Sequence, residues 1–200
     1  DNAFEVEDES VFFYISEGDV KQISNTKISD VVDTVCYQIY PKTLSVNNEM
    51  INKENIITSP IKKARKTIID RLIYGEDCSD YYSGTSAEAT IFRALFVGTG
   101  IISKEYERNA EEVMGIFNTY IDSACDVKQP LSKLVDNLVK APIGMRRGII
   151  PIYLAYALGL RKEDIVIYFD TKEMELSADI VLNMCESPSD YYIFIAMEDM

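Results

Sequence analysis

The chemistry open to this chain is bounded first by a residue type it lacks: among its 200 residues there is no histidine. Imidazole acid–base catalysis, a Ser-His-Asp triad, a Cys-His pair and an HExxH zinc site are therefore excluded within the chain. Cysteine is the next reactive type. Cys36, Cys78, Cys125 and Cys185 stand 42, 47 and 60 residues apart with no CxxC pair. Zinc ribbons need closely paired ligands and secreted scaffolds need denser cysteine, so this spacing predicts reduced, structural thiols in a cytoplasmic protein and no metal. Paired carboxylates occur at Glu111-Glu112 and Glu163-Asp164. Adjacent acids at a helix start are explained by the helix dipole, whereas glycoside hydrolysis or two-metal catalysis needs separated carboxylates in a pocket. The phosphate-cradling signals are incomplete: Gly98-Thr99-Gly100 leads only to Ser103-Lys104, and Gly144 to Gly148 has no Lys-Ser or Lys-Thr behind it. Neither satisfies GxxxxGK[ST]. The expectation is no catalytic residue, no cofactor and no enzyme activity in this stretch, with an unrecognised hydrolase as an outlying reading.

Basic side chains are the remaining candidates, and they are few. Lys plus Arg number 20 against 33 Asp plus Glu, a net charge of -13, and the isoelectric point is near 4.5. A field of that sign repels phosphate backbones and anionic lipid, so any nucleic-acid contact has to be local. Two local patches exist. Residues 42–73 carry seven basic and three acidic side chains, with Lys62, Lys63, Arg65 and Lys66 in one run. Residues 140–162 carry Lys140, Arg146, Arg147, Arg161 and Lys162 with no acid. The first reads as a solvated helix face, or as a salt-bridge partner for the acidic residues 1–10, in preference to a nucleic-acid patch. In the second, Arg146 and Arg147 stand at the start of a helix, where phosphates are met in DNA-reading modules, but the helix body from Ile149 to Leu160 is too apolar to read a groove.

The elements that must position these residues follow from periodicity and breakers. Val11-Phe12-Phe13-Tyr14-Ile15, Glu17-Gly18-Asp19 and Val20 to Ile23 predict a hairpin, and Ser29 opens a helix to residue 39 that Pro41 stops. Ser59-Pro60 starts a helix with Ile61, Ala64, Ile68 and Leu72 on one stripe, closed by Gly75. Thr85 and Glu88 have capping-box spacing for a helix through Phe96, residues 107–124 make another, and 126–129 read as a loop. From Pro130 the pattern runs helix, the tight turn Ala141-Pro142-Ile143-Gly144, a helix from Arg147 or Gly148, a strand at 165–169, a turn at 170–173, a helix capped by Ser177, and a strand at 191–195. The fold class predicted is mainly α, of α+β type: a helical bundle-like N-terminal part, a winged-helix-like C-terminal part and short β-hairpins. Its organisation reads as an acidic lead and hairpin over 1–28, a helical domain over 29–129 and a winged-helix-like domain over 130–200. No run of about 18 apolar residues is present to span a bilayer. Opening on Asp1-Asn2-Ala3-Phe4 and closing on Glu198-Asp199-Met200, the sequence reads as a piece of a longer chain.

Four strings are familiar together: Ile39-Tyr40-Pro41-Lys42-Thr43; Asn47-Asn48-Glu49-Met50-Ile51-Asn52; Ala64-Arg65-Lys66; and Pro142-Ile143-Gly144-Met145-Arg146-Arg147-Gly148-Ile149-Ile150-Pro151. In this order they resemble the region after the P-loop module in very large bacterial ATPases of the BREX phage-defence type. The resemblance extends over most of residues 29–195. It implies a helical, winged-helix-like segment of a multidomain ATPase, partnered by other domains or subunits of that ATPase and having no membrane contact. The sequence departs from the family string in having Ala141-Pro142-Ile143-Gly144 where that string has two prolines and a Tyr before its Gly, and it lacks the ATP-binding signature. Asn47, Asn48, Glu49 and Asn52, with Pro142 and Gly144, are the expected docking and turn motif; ordinary capping and turn chemistry is the other account of the same residues.

Overall fold

A computed structural model describes residues 12–16, 19–22, 28–52 and 58–195. The chain forms two compact units that divide between Pro41 and Lys42. In the first, β1 (Phe12–Ser16) pairs antiparallel with β2 (Asp19–Gln22), opposing Phe12 to Gln22 and Tyr14 to Val20, with the register shifting before Ser16. Helix α1 (Ile28–Ile39) follows, and the Tyr40 amide closes its last turn on the Cys36 carbonyl at 2.8 Å. Its Val32, Cys36 and Ile39 are exposed. Val11, Glu17, Gly18, Ile23 and the acidic residues 1–10 lie outside the described residues.

The second unit is a mixed helix and sheet structure of α+β type. Helix α2 (Ser59–Tyr74) has Pro60 in its first turn, where the missing amide costs nothing, and ends at Gly75, whose φ of 65° turns its amide back onto the Arg71 carbonyl. Thr58, and not the expected Ser59, is the residue before the helix. Ala64, Ile68, Ile69 and Ile73 are the buried stripe. Helix α3 (Ala87–Phe92) is capped by Ser86, one residue after the expected Thr85: its hydroxyl accepts the Ala89 amide at 3.2 Å. The helix continues as a π-helical turn over Arg93–Val97. Ile101 and Ile102 belong to the turn that follows.

Helix α4 (Ala110–Asp122) buries Val113, Met114, Phe117, Tyr120 and Ile121. Gln129, expected as loop, and Pro130, expected to begin a helix, then form a two-residue strand, β3 (Gln129–Pro130), held by Tyr120, whose hydroxyl donates to the Gln129 carbonyl at 3.0 Å. Helix α5 (Leu131–Val139) is followed by a tight turn and α6 (Ile150–Gly159). The α6 start is two or three residues later than expected because the Ile149 amide closes a separate turn on the Arg146 carbonyl at 3.1 Å. Pro151 still falls in the first helical turn. The remaining elements are β4 (Ile165–Phe169), β5 (Lys172–Met174), α7 (Ala178–Glu186) and β6 (Tyr191–Ile195). Lys172 and Glu173, expected in a turn, are the first residues of β5. The Ser177 hydroxyl caps α7 by accepting the Ile180 amide at 3.4 Å.

One antiparallel sheet results, in the order β3-β6-β4-β5. Alternation sends Ile165, Ile167, Tyr191, Ile193 and Ile195 to its buried face, as expected for a sheet covered on one side by helices. The core is a single cluster running from Val46 to Ile195, so α5, α6 and the sheet share it with α2, α3 and α4. Helix α6 lies at its centre, with eight of ten residues buried. Among the described residues no helix is long and apolar enough to cross a membrane.

Candidate functional site

Residues 42–52 carry no regular secondary structure, and they are fixed to the helices at named points. The Lys42 amide donates to the Pro142 carbonyl at 3.1 Å, while its ammonium meets the Glu112 carboxylate at 2.5 Å. The Asn109 side-chain amide donates to the Thr43 carbonyl at 3.1 Å. Further along, Asn48 shapes a turn: its side-chain oxygen accepts the Met50 amide at 3.0 Å, and its backbone carbonyl accepts those of Ile51 and Asn52. This is Asx-turn chemistry, and it buries Asn48 to 6% exposure while fully burying Ile51. Asn52 then closes the loop on itself by donating from its side chain to the Val46 carbonyl at 2.5 Å.

The Pro142–Pro151 string meets the Asn47–Asn52 string here. Gly144, at φ 61°, lets the chain turn back so that the Met145 amide reaches the Leu138 carbonyl at 2.7 Å. That turn aims Arg146 at the 42–52 segment, where its guanidinium donates to the Asn52 carbonyl at 3.2 Å. Between them lies a cleft of about 190 Å³ lined by Thr43, Leu44, Ser45, Asn52, Arg146 and Ile149 among others. Among the described residues its lining offers two hydroxyls, one amide and one guanidinium, and no carboxylate or thiol. Such a set can hold polar or anionic groups and backbone carbonyls; it holds no acid–base pair. Asn48, Asn52, Pro142, Gly144 and Arg146 thus form one latch. Asn47 and Glu49 are exposed beside it.

The chain matches no protein family, no curated protein and no solved structure.

The basic residues divide. Lys62 and Lys63 are exposed and form no ion pair among the described residues. Lys66 is tied to Asp179 of α7 at 2.7 Å, a contact that raises the lysine's pKa through the hydrogen bond it donates. Arg65 packs toward α7, where burial lowers its pKa against the opposing pull of Cys185 and Glu186, and its Nε is buried without a hydrogen-bond partner. Burial pushes the Cys185 thiol up to about 12, while Arg65 and Arg147 both act to lower it. Arg65 and Arg147 thus both act electrostatically on Cys185, while Arg146 donates to the Asn52 carbonyl. Of the six, Lys66 is held by Asp179 and Arg146 by the Asn52 carbonyl.

Two further cations, Arg71 on a polar face of α2 and Arg93, are structural anchors. Arg93 donates to the carbonyls of Tyr81 and Gly84 at 2.8 and 2.6 Å, and Arg71 pairs with Asp80 at 2.6 Å while lying 4.5 Å from the centre of the Tyr81 ring. Arg71 is the basic residue in the last turn of its helix, a signal visible in sequence; nothing local marks Arg93. Among the described residues no three His, Cys, Asp or Glu side chains gather closely enough to hold a metal ion.

Proposed function

We propose that this chain is a non-catalytic interaction module of a larger multidomain P-loop ATPase of the phage-defence kind, acting in the cytoplasm by packing against the motor or partner subunits. The observation that carries the reading is the latch: two of the four strings that resemble the ATPase family, 94 positions apart at Asn52 and Arg146, are joined by a guanidinium–carbonyl hydrogen bond. Residues at those strings serve to fix a loop against helices and contribute no reactive group. In the same reading, residues 130–195 are winged-helix-like, with α5 and α6 as the helix pair and β4-β5 as the wing, and residues 42–129 are the bundle-like part.

A winged-helix nucleic-acid binder is the second reading, and exposed Lys62, Lys63 and Arg147 favour it. The burial of α6 weighs against it, because a groove-reading helix needs an exposed polar face. Calorimetry with magnesium ATP separates the first reading from a motor: no heat of binding is expected, and a micromolar dissociation constant would remove the proposal. Anisotropy with duplex DNA at rising salt tests the second. Affinity that falls steeply with salt and weakens in Arg147→Ala would establish it in place of the first. Reading the coding sequence upstream of residue 1 for GxxxxGK[ST] tests the parent ATPase directly.

A further inference from the structure

The sheet has an opening in its backbone pairing. Strand β5 pairs with β4 only from Lys172 to Met174, opposite Phe169 to Ile167, so the first residues of β4 have β6 on one side and no strand on the other. Which way their polar groups face follows from β6. Ile195 donates its amide to the Ala124 carbonyl at 3.0 Å and accepts the Asp126 amide at 3.5 Å, so both its backbone groups face away from β4. Residues opposite one another in an antiparallel pair either exchange both hydrogen bonds or neither. Ile165 stands opposite Ile195. Its N–H and C=O therefore also face away, toward the side that β5 has left, and no backbone partner meets them among the described residues.

That side is a groove of about 480 Å³. Its apolar lining comes from Ile73 and Tyr74 at the end of α2, from Met174 and Leu176, and from Ile165 and Val166. Among the described residues three carboxylates, Glu163, Glu173 and Glu175, line it with a single cation, Lys162, which is 3.8 Å from Glu163. Glu173 accepts the Tyr168 hydroxyl at 3.0 Å; Glu175 has no ion pair among the described residues. An unpaired strand position with an apolar wall and surplus negative charge calls for an extended chain whose backbone pairs with Ile165 and whose flanking side chains are cationic.

We propose that this groove binds an extended peptide segment of a partner protein bearing lysine or arginine at alternate positions, one residue exchanging both backbone hydrogen bonds with Ile165 and the cations meeting Glu163 and Glu175. The inference deepens the interaction role proposed above and rests on it only in supposing that a protein partner exists.

The test uses the whole chain and a capped, fluorescent heptapeptide of alternating lysine and valine, followed by anisotropy. Binding is expected, weakened about tenfold when the central peptide residue is N-methylated and about tenfold in Glu163→Lys/Glu175→Lys, whose fold is checked by its urea midpoint. Amide shifts in NMR are expected to centre on Ile165 and Glu175. Absence of binding at about millimolar peptide overturns the proposal. So does binding indifferent to N-methylation, which would be diffuse attraction to an acidic protein, and so does equal binding of a glutamate–valine peptide. Failure here leaves the ATPase-module reading standing, while nucleotide binding by the chain removes that reading and leaves the groove untouched.

Discussion

Gly159, at the end of α6, lies so close beneath the Leu72 carbonyl of α2 that a Cβ there would stand 2.3 Å from the oxygen. The obstacle is backbone, so it cannot swing aside, and the two helices have to separate. Gly159→Ala is expected to lower stability by about 1–3 kcal/mol, measured as a shift in urea midpoint. Gly115, in the middle of α4, is the control: a Cβ there meets nothing within 4 Å. Gly115→Ala is expected to stabilise by about 0.5–1 kcal/mol through helix propensity alone.

The Leu95 carbonyl, in the π-helical turn, accepts two hydroxyls, from Tyr153 at 2.7 Å and from Thr99. Either suffices to keep a buried carbonyl satisfied. Tyr153→Phe and Thr99→Val are each expected to cost about 1 kcal/mol, and the double variant more than their sum, because only then is the oxygen left without either hydroxyl. Chemical denaturation of the four proteins gives the coupling energy; strict additivity would show that the hydroxyls do not substitute for one another.

The latch has a local readout. Arg146→Ala removes the donor to Asn52 at an exposed position, so the expected loss of global stability is about 1 kcal/mol or less. Amide exchange over residues 43–52 is expected to accelerate while the core amides of α6 keep their protection. Uniform acceleration across the unit would show that the segment is not an independent latch.

Cys185 supplies a pH dependence with a definite sign. Its folded pKa, about 12, lies above the ordinary 9.0, so the folded state holds the proton over an interval where the unfolded chain has released it. The stabilisation is complete below about pH 9 and is lost as pH climbs toward 12. Between pH about 8 and about 10.5, Cys185→Ala is expected to lose less stability than the parent protein. Arg65, Glu186 and Arg147 are the charged groups acting on this thiol, so the comparison is made with all three intact.

How far the sequence carried varies with the range of the interaction. Periodicity marked α2, α4, α5, α6, β4 and β6, because a buried stripe or alternation is written locally. Helix α6 was legible even in its burial: Ile149 to Leu158 has scarcely any polar residue to turn outward. Caps shifted by one residue where two hydroxyl or cap-forming residues adjoin, at Thr58-Ser59 and Thr85-Ser86, since either can occupy the position. Strand β3 escaped because two residues, one a proline, carry no alternation; only Ile193 and Tyr192 opposite define them as strand. At the site, the polar residues of the latch were visible as turn formers. Their union was not, because Arg146 finds Asn52 through the fold and no local pattern encodes a partner 94 positions away.

The last strand of the sheet in chain order, β6, lies between β3 and β4. On a translating ribosome the unit cannot assemble progressively from its N-terminal side, since the strand that joins the helical half to the β4-β5 hairpin is the last to emerge. A premature stop anywhere before Tyr191 would leave β4 without its neighbour and Ile165, Ile167 and the α5 surface wet. Such truncations are therefore candidates for aggregation and proteolytic clearance, not for partial activity.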